Sequence, residues 1–219
     1  MKIIAKIYNN YNEKFGIPRQ SGIVKDISVI EFEPEYRIKD AFDKIETYSH
    51  LWIIWEFSQT DREKWTPKVR PPKLGGNTRV GVFATRSPFR PNPIGLSCVK
   101  LIKIEFNKKR GPLLFVEGAD LMNETPIYDI KPYIPYADSI PDASCGLSVS
   151  KDIITNVIFP LDILKNFDVD FINTIKEILQ QNPIPAYKKD TERIYKMEYA
   201  NKTICFKCTE KNITVTSII

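Results

Sequence analysis

The sequence predicts a mainly β protein: an antiparallel β-barrel-like main domain over residues 1–150, followed by a small α+β C-terminal subdomain over residues 151–219. Three observations carry this expectation. Short apolar, β-branched and aromatic runs recur at close spacing through the first two thirds of the chain, a single stretch there reads as a helix, and the pattern changes beyond the proposed boundary.

In chain order, Ile3 to Tyr8, Ile27 to Phe32, Leu51 to Phe57, Arg79 to Ala84, Leu96 to Phe106 and Leu113 to Val116 read as strands. Side chains of these types fit a pleated, half-buried surface. Only Tyr36 to Ile45 interrupts them as a short helix. Strands that follow one another without crossover helices form an antiparallel sheet closed or curled on itself, not βαβ units. The stretch Ala137 to Asp152 collects Pro, Ser, Gly and Asp and marks a long loop or boundary. Beyond it, Phe171, Ile172, Ile175, Ile178 and Leu179 share one helical face, with Asp168 or Asp170 placed to cap it and Pro183 placed to end it. Ile194 to Tyr199, Lys202 to Cys208 and Asn212 to Ile218 then alternate as three strands of a small meander.

At 42% hydrophobic residues the chain can build an ordinary core. It contains no run of about 18 apolar residues, and MKIIAKIYNNYNEKF lacks the pattern of a signal peptide, so a cytoplasmic protein without a membrane partner is expected. The four cysteines are few and scattered, which argues against a secreted disulfide scaffold. Cys205 and Cys208 form one CxxC inside KTICFKCTE, where strand alternation sends the two sulfurs to opposite faces, a weak basis for zinc. His50 is the only histidine, which excludes a two-His metal site, and no metal is expected. The net charge of +5 and pI of about 8.9 fit a polyanionic partner without establishing one.

The distribution of charge says more. From Thr60 to Arg90 eight basic residues (Arg62, Lys64, Lys68, Arg70, Lys73, Arg79, Arg86 and Arg90) stand against Asp61 and Glu63. Trp65 and Phe89 lie among them, so charge for phosphates is combined with rings able to stack on splayed bases; a solvated basic loop over a sheet edge has the same composition. Within this stretch, Thr85 to Gly95 reads TRSPFRPNPIG. Pro88, Pro91 and Pro93 fix φ and remove amide donors, so the loop is a stiff support for Arg86, Arg90 and Asn92 and not a cradle of successive amides. No GxGxxG and no GxxxxGK occurs, which disfavours a Rossmann cofactor site and a P-loop. Leu74, Gly75 and Gly76 read as a turn. Further on, Asp129 and Lys131 fall on one strand face, either as an ion pair or as pocket lining.

Four motifs give the chain a resemblance to the TsaA-like, TrmO-type tRNA methyltransferases: FGIPRQSG at Phe15 to Gly22, YSHLWIIWEF at Tyr48 to Phe57, GVFATRSPFRPNPIGLS at Gly81 to Ser97, and DIKPYIPYADS at Asp129 to Ser139. The resemblance implies a β-barrel methyltransferase, usually a homodimer, that uses S-adenosylmethionine to methylate N6 of threonylcarbamoyladenosine 37 in the tRNA anticodon stem-loop. By the same resemblance the donor contacts are Pro18, Arg19 and Gln20, then His50 and Leu51, then Arg86 and Leu96, then Tyr128, Asp129, Ile130 and Lys131. The family's C-terminal motif carries an Arg where this chain has Ile184, within Asn182 to Tyr187.

The acceptor nitrogen of such a substrate is urea-like and a poor nucleophile, so alignment carries most of the catalysis, an effect worth about 7 to 11 kcal/mol. Asp129, Asp138 and His50 are the unranked candidates for a base. Arg90 and Lys131 are placed to hold the threonyl carboxylate, with Asn92 and Tyr133 as further substrate contacts. The rival readings are a non-enzymatic RNA-binding barrel and a methyltransferase of the same fold with a different acceptor.

Overall fold

The computed structural model describes residues 1–59, 64–71, 74, 77–147, 156–184, 190–209 and 212–219. Six strands close a barrel: β1 (Ala5–Tyr8), β2 (Ile27–Phe32), β3 (His50–Glu56), β6 (Ile94–Asn107), β7 (Gly111–Glu117) and β8 (Pro126–Pro132). Their order around the barrel is β1, β2, β7, β6, β3, β8 and back to β1, every pair antiparallel. Alternation explains the closure: Leu51, Ile53 and Trp55 on β3 point inward, as do Ile7, Ile30, Val99, Leu114 and Ile127, and all are buried. A short ribbon of β4 (Lys68–Val69) and β5 (Val80–Gly81) stands outside the barrel.

The expected helix over Tyr36 to Ile45 is instead three 3-10 turns, Pro34–Tyr36, Lys39–Phe42 and Ile45–Thr47. Left-handed Lys44, at φ 68°, prevents one continuous helix, and Phe42 is turned inward onto Phe32 with ring centres 4.7 Å apart. The expected strand Arg79 to Ala84 pairs only at Val80–Gly81 and then enters a 3-10 turn at Val82–Ala84, because its partner ribbon offers two residues. The expected boundary after residue 150, the turn residues Gly75 and Gly76, and Arg62, Lys73, Asp61 and Glu63 lie outside the described residues.

A second core forms around a mixed sheet, β10 (Tyr195–Tyr199), β11 (Lys202–Cys208), β12 (Asn212–Ile218) and β9 (Asn156–Ile158), with β9 parallel to β12. Two helices were not anticipated, α1 (Pro135–Asp138) and α2 (Leu161–Asn166), nor was β9. α3 (Val169–Gln180) is capped by Asp168, whose side chain accepts the Phe171 amide at 2.8 Å. Cys205 and Cys208 are both buried. Ile184 is buried in this core too, so its side chain does not face a partner. No helix among the described residues is long and apolar enough to cross a membrane.

The N-terminal chain joins the two cores. Tyr11, Val24, Phe15 and Ile17 pack into the C-terminal core, and Gly16, at φ 99°, lies so close to Met197 that an added Cβ would meet its Sδ at 2.4 Å. Asp26 is buried at this junction; its Oδ1 accepts the Ile27 amide, while its Oδ2 and the nearby Tyr11 hydroxyl complete no hydrogen bond among the described residues. Burial pushes the Asp26 carboxyl above its ordinary value of 3.8, against the Tyr199 phenol and the Ile27 amide. A raised native pKa means that the ionised form costs stability, a cost absent below pH 4 and present once the pH is above the native value. Asp26→Asn is therefore expected to raise stability at pH 7 by about 1 kcal/mol, since the amide can also donate to Tyr11. Urea midpoints should show the gain vanish near pH 3; a loss at both pH values would refute this account.

Candidate active site

At the mouth of the barrel the segment Ile17 to Gln20, the outer end of β3, the loop Thr85 to Arg90, the start of β6 and Asp120 enclose a cavity of about 820 Å³. That is the size of a small-molecule pocket. Of the residues expected at a donor or substrate site, Pro18, Arg19, Gln20, Arg86, Arg90 and Leu96 line it. The proline-rich loop brings Arg86 against the N-terminal loop, where its Nη1 donates to Gln20 Oε1 in a short contact. Gln20 in turn donates to the Arg19 carbonyl at 2.5 Å, and Arg19 Nη2 donates to the Asn182 carbonyl at 2.7 Å. Arg90 is fixed by donating from Nη1 to the carbonyls of Thr85, at 2.7 Å, and Val82, at 3.3 Å.

The remaining expected residues do not line the cavity. His50, Asp129 and Lys131 are on the adjoining outer face of the barrel, where strand register sets Ile54 between Leu96 and Asp129, and Trp52 between Cys98 and Lys131. Trp52 joins the two regions: it lines the cavity, donates its indole N–H to Asp138 Oδ2 at 2.9 Å, and stands 5.7 Å from the Tyr133 ring. Asp129 and Lys131 form an ion pair at 2.8 Å, largely in water and therefore of small energetic value. His50 shares a 2.9 Å hydrogen bond between Nδ1 and Ser49 Oγ, and its ring meets that of Tyr133 at 6.2 Å. Leu51 is buried and Ile130 packs on the barrel core, so a ligand on the outer face reaches only their backbone. Asn92 is exposed on the proline-rich loop outside the cavity lining.

The Ile134 amide and the Trp52 indole hold the Asp138 carboxyl below the usual carboxylate range. A carboxylate stabilised in this way is a weaker proton acceptor.

Two carboxylates escaped the sequence reading. Asp120 lines the cavity, and its Oδ1 accepts Ser97 Oγ at 2.5 Å while Ser97 Oγ accepts the Trp55 indole N–H at 2.9 Å. Burial pushes the Asp120 carboxyl up; Ser97, its own amide and the Arg86 charge oppose that rise. Glu56 also lines the cavity and accepts the Tyr128 hydroxyl in a short contact, with that phenol pushed up to about 12, first by burial and then by Glu56. Glu56 had a readable signal, an acid on the outward phase of an apolar strand. Asp120 had none, because GADLMNE gives no periodicity from which to orient it.

Closed antiparallel sheet, cationic proline-stiffened rim and aromatic cavity walls define a class: a β-barrel whose mouth offers cations, carboxylates and flat rings beside a basic face. Residues 6–139 match the tRNA-methyltransferase O N-terminal domain, and residues 161–219 match the TrmO C-terminal domain. The chain is 42% identical over 197 residues to the tRNA (adenine(37)-N6)-methyltransferase of Escherichia coli (strain K12), covering 86% of this chain and 83% of that one. It is 45% identical over 141 residues to the putative S-adenosylmethionine-dependent methyltransferase RcsF of Pseudomonas aeruginosa, covering 64% of this chain and 57% of that one. A crystal structure of TrmO matches with a TM-score of 0.77 at 29% identity, covering 99% of this chain and 96% of that one. The chain belongs to the tRNA-methyltransferase O family and is a methyltransferase of the β-barrel class.

Proposed function

We propose that the protein transfers a methyl group from S-adenosylmethionine to N6 of threonylcarbamoyladenosine at position 37 of a tRNA anticodon stem-loop. The observation that carries this reading is the contact between the two motif loops: Arg86, on the proline-stiffened segment, reaches Gln20 across a cavity that both loops line. The names of the relatives, one for adenine 37 of tRNA and one for the methyl donor, support the same chemistry.

The residues present suit the donor. Arg86 offers a fork for its α-carboxylate, Asp120 and Glu56 offer acceptors for its ammonium and ribose hydroxyls, and Trp52, Trp55 and Phe89 offer flat walls for its adenine. Bound there, it supplies an electrophilic methyl on a sulfonium. The protein's work is then to align the acceptor nitrogen, keep water out with the aromatic walls, and take the N6 proton at Asp129 or His50 as the N–CH3 bond forms and the S–CH3 bond breaks, the electron pair staying on sulfur in a neutral thioether. Arg90, with one nitrogen already fixed on two carbonyls, and Lys131 hold the threonyl carboxylate, flanked by Asn92 and Tyr133. The same reading includes a cytoplasmic homodimer, for which exposed Leu96, Tyr136 and Ile140 offer apolar surface.

The direct test is mass spectrometry of tRNA nucleosides from cells with and without the gene: the N6-methylated threonylcarbamoyladenosine should disappear on deletion, and its persistence would refute the reading. Arg90→Ala is expected to raise KM for modified tRNA by about 10- to 100-fold, as for a lost charge-assisted hydrogen bond, while donor binding measured by calorimetry changes little. Equal losses in both would overturn the role given to Arg90.

A further inference from the structure

We propose that Trp65 and Phe83 form a stacking platform for an unpaired base next to the target adenosine in the RNA loop. This rests on the tRNA reading above and adds to it a second point of contact outside the cavity.

Both rings are large and open to solvent, Trp65 at 49% and Phe83 at 71% exposure, although they are 18 residues apart in sequence, a separation that follows from their numbers. They are stacked on each other, with centres 6.3 Å apart and planes 26° from parallel. The Arg90 guanidinium lies over the Phe83 ring at 5.6 Å, pinned by its bonds to the Thr85 and Val82 carbonyls. Among the described residues neither ring belongs to a core, so neither is held there by burial.

The scaffold beneath them is ordered by backbone bonds. β4 and β5 pair at Lys68 with Gly81 and Val69 with Val80, and the ladder continues through the Val82 amide to the Pro67 carbonyl at 3.0 Å. The Thr66 amide bonds the Phe89 carbonyl at 3.3 Å, which ties the Trp65 segment to the cavity wall, because Phe89 and Arg90 both line the cavity. The platform is thus attached directly to the rim of the donor cavity.

Charge selects the occupant. From Lys64 to Gly95 the sequence has seven Lys and Arg and no Asp or Glu, and Lys64, Lys68, Arg70 and Arg79 are exposed. Flat rings in a segment that exposes Lys64, Lys68, Arg70 and Arg79 fit a nucleobase whose phosphates meet the cations. An apolar side chain of a protein partner would use the rings and leave the cations without counter-charge.

The experiment uses the full protein and a modified anticodon stem-loop, intact or with an abasic site on one side or the other of the target adenosine, at one fixed salt concentration. Wild-type protein should bind one of the two abasic RNAs roughly ten- to a hundredfold more weakly than the intact one. Phe83→Ala and Trp65→Ala should show the same loss with intact RNA and no further loss with that abasic RNA, while Phe83→Tyr keeps wild-type affinity and donor binding stays unchanged in all. Wild-type affinity of the Ala variants for intact RNA, or losses from ring and base that simply multiply, would overturn the platform while methyl transfer by wild-type protein leaves the function standing. RNA binding that depends on Phe83 without any methyl transfer would do the reverse.

Discussion

Arg86→Ala should weaken donor binding by about 10- to 100-fold and lower kcat/KM by at least as much, with the fold intact. The side chain is exposed, so its loss leaves no cavity in the core. What is lost is the bridge to Gln20 and the cation that opposes the rise of the Asp120 carboxyl. A charge-assisted hydrogen bond to a carboxylate is worth about 1.5 to 3 kcal/mol, which sets the range. Arg86→Lys should recover only part of the affinity, because an ammonium cannot present a planar fork. Removing Arg86 also leaves Asp120 with burial less opposed, so its carboxyl should titrate at higher pH, and the acidic limb of the donor-binding profile should move upward with it. Calorimetry that returned the wild-type affinity for Arg86→Ala would remove this arginine, and the cavity with it, from the donor site.

The largest expected effect on stability is that of Gly95→Val. Gly95 faces Trp55 across the β3 and β6 pair, and a Cβ built on it would lie 2.1 Å from Trp55 Cε2. Trp55 is buried and cannot swing aside without breaking its bond to Ser97, the hydroxyl that also serves Asp120. Overpacking of this kind costs about 3 kcal/mol, which for a chain of this length lowers Tm by roughly 6 to 12 °C. The glycine serves the cavity as well as the fold: it lets the Trp55 indole, one of the lining rings, lie close against backbone. An unchanged Tm for Gly95→Val would mean that the indole is not held as described.

Much of the fold was legible because burial on one face imposes a period. β2, β11 and β12 run as the alternation predicts, and α3 is capped by Asp168, one of the two expected caps. The proline-rich loop was legible as a stiff carrier of arginines because proline acts locally, on its own φ and its own missing amide. Elements without a period were not. β8 is bounded by prolines at both ends and carries Asp129 and Lys131 outward, so its apolar signal is thin. α2 has six residues, too few to show a face.

What the sequence determined by itself was the class of the fold, the motif loops to which the proposed chemistry is assigned, and the basic character of the stretch before β6. Tertiary structure alone decided which of those residues meet. It placed Arg86 against Gln20 but set His50, Asp129 and Lys131 on the neighbouring outer face, brought unremarked Asp120 and Glu56 to the cavity, and paired Trp65 with Phe83 where the sequence had offered Phe89. The physical reason is range: propensity, proline stiffness and strand alternation act over a few residues, whereas the meeting of loops depends on barrel closure, which fixes contacts between residues 60 or more apart, as Gln20 and Arg86 are at a separation of 66.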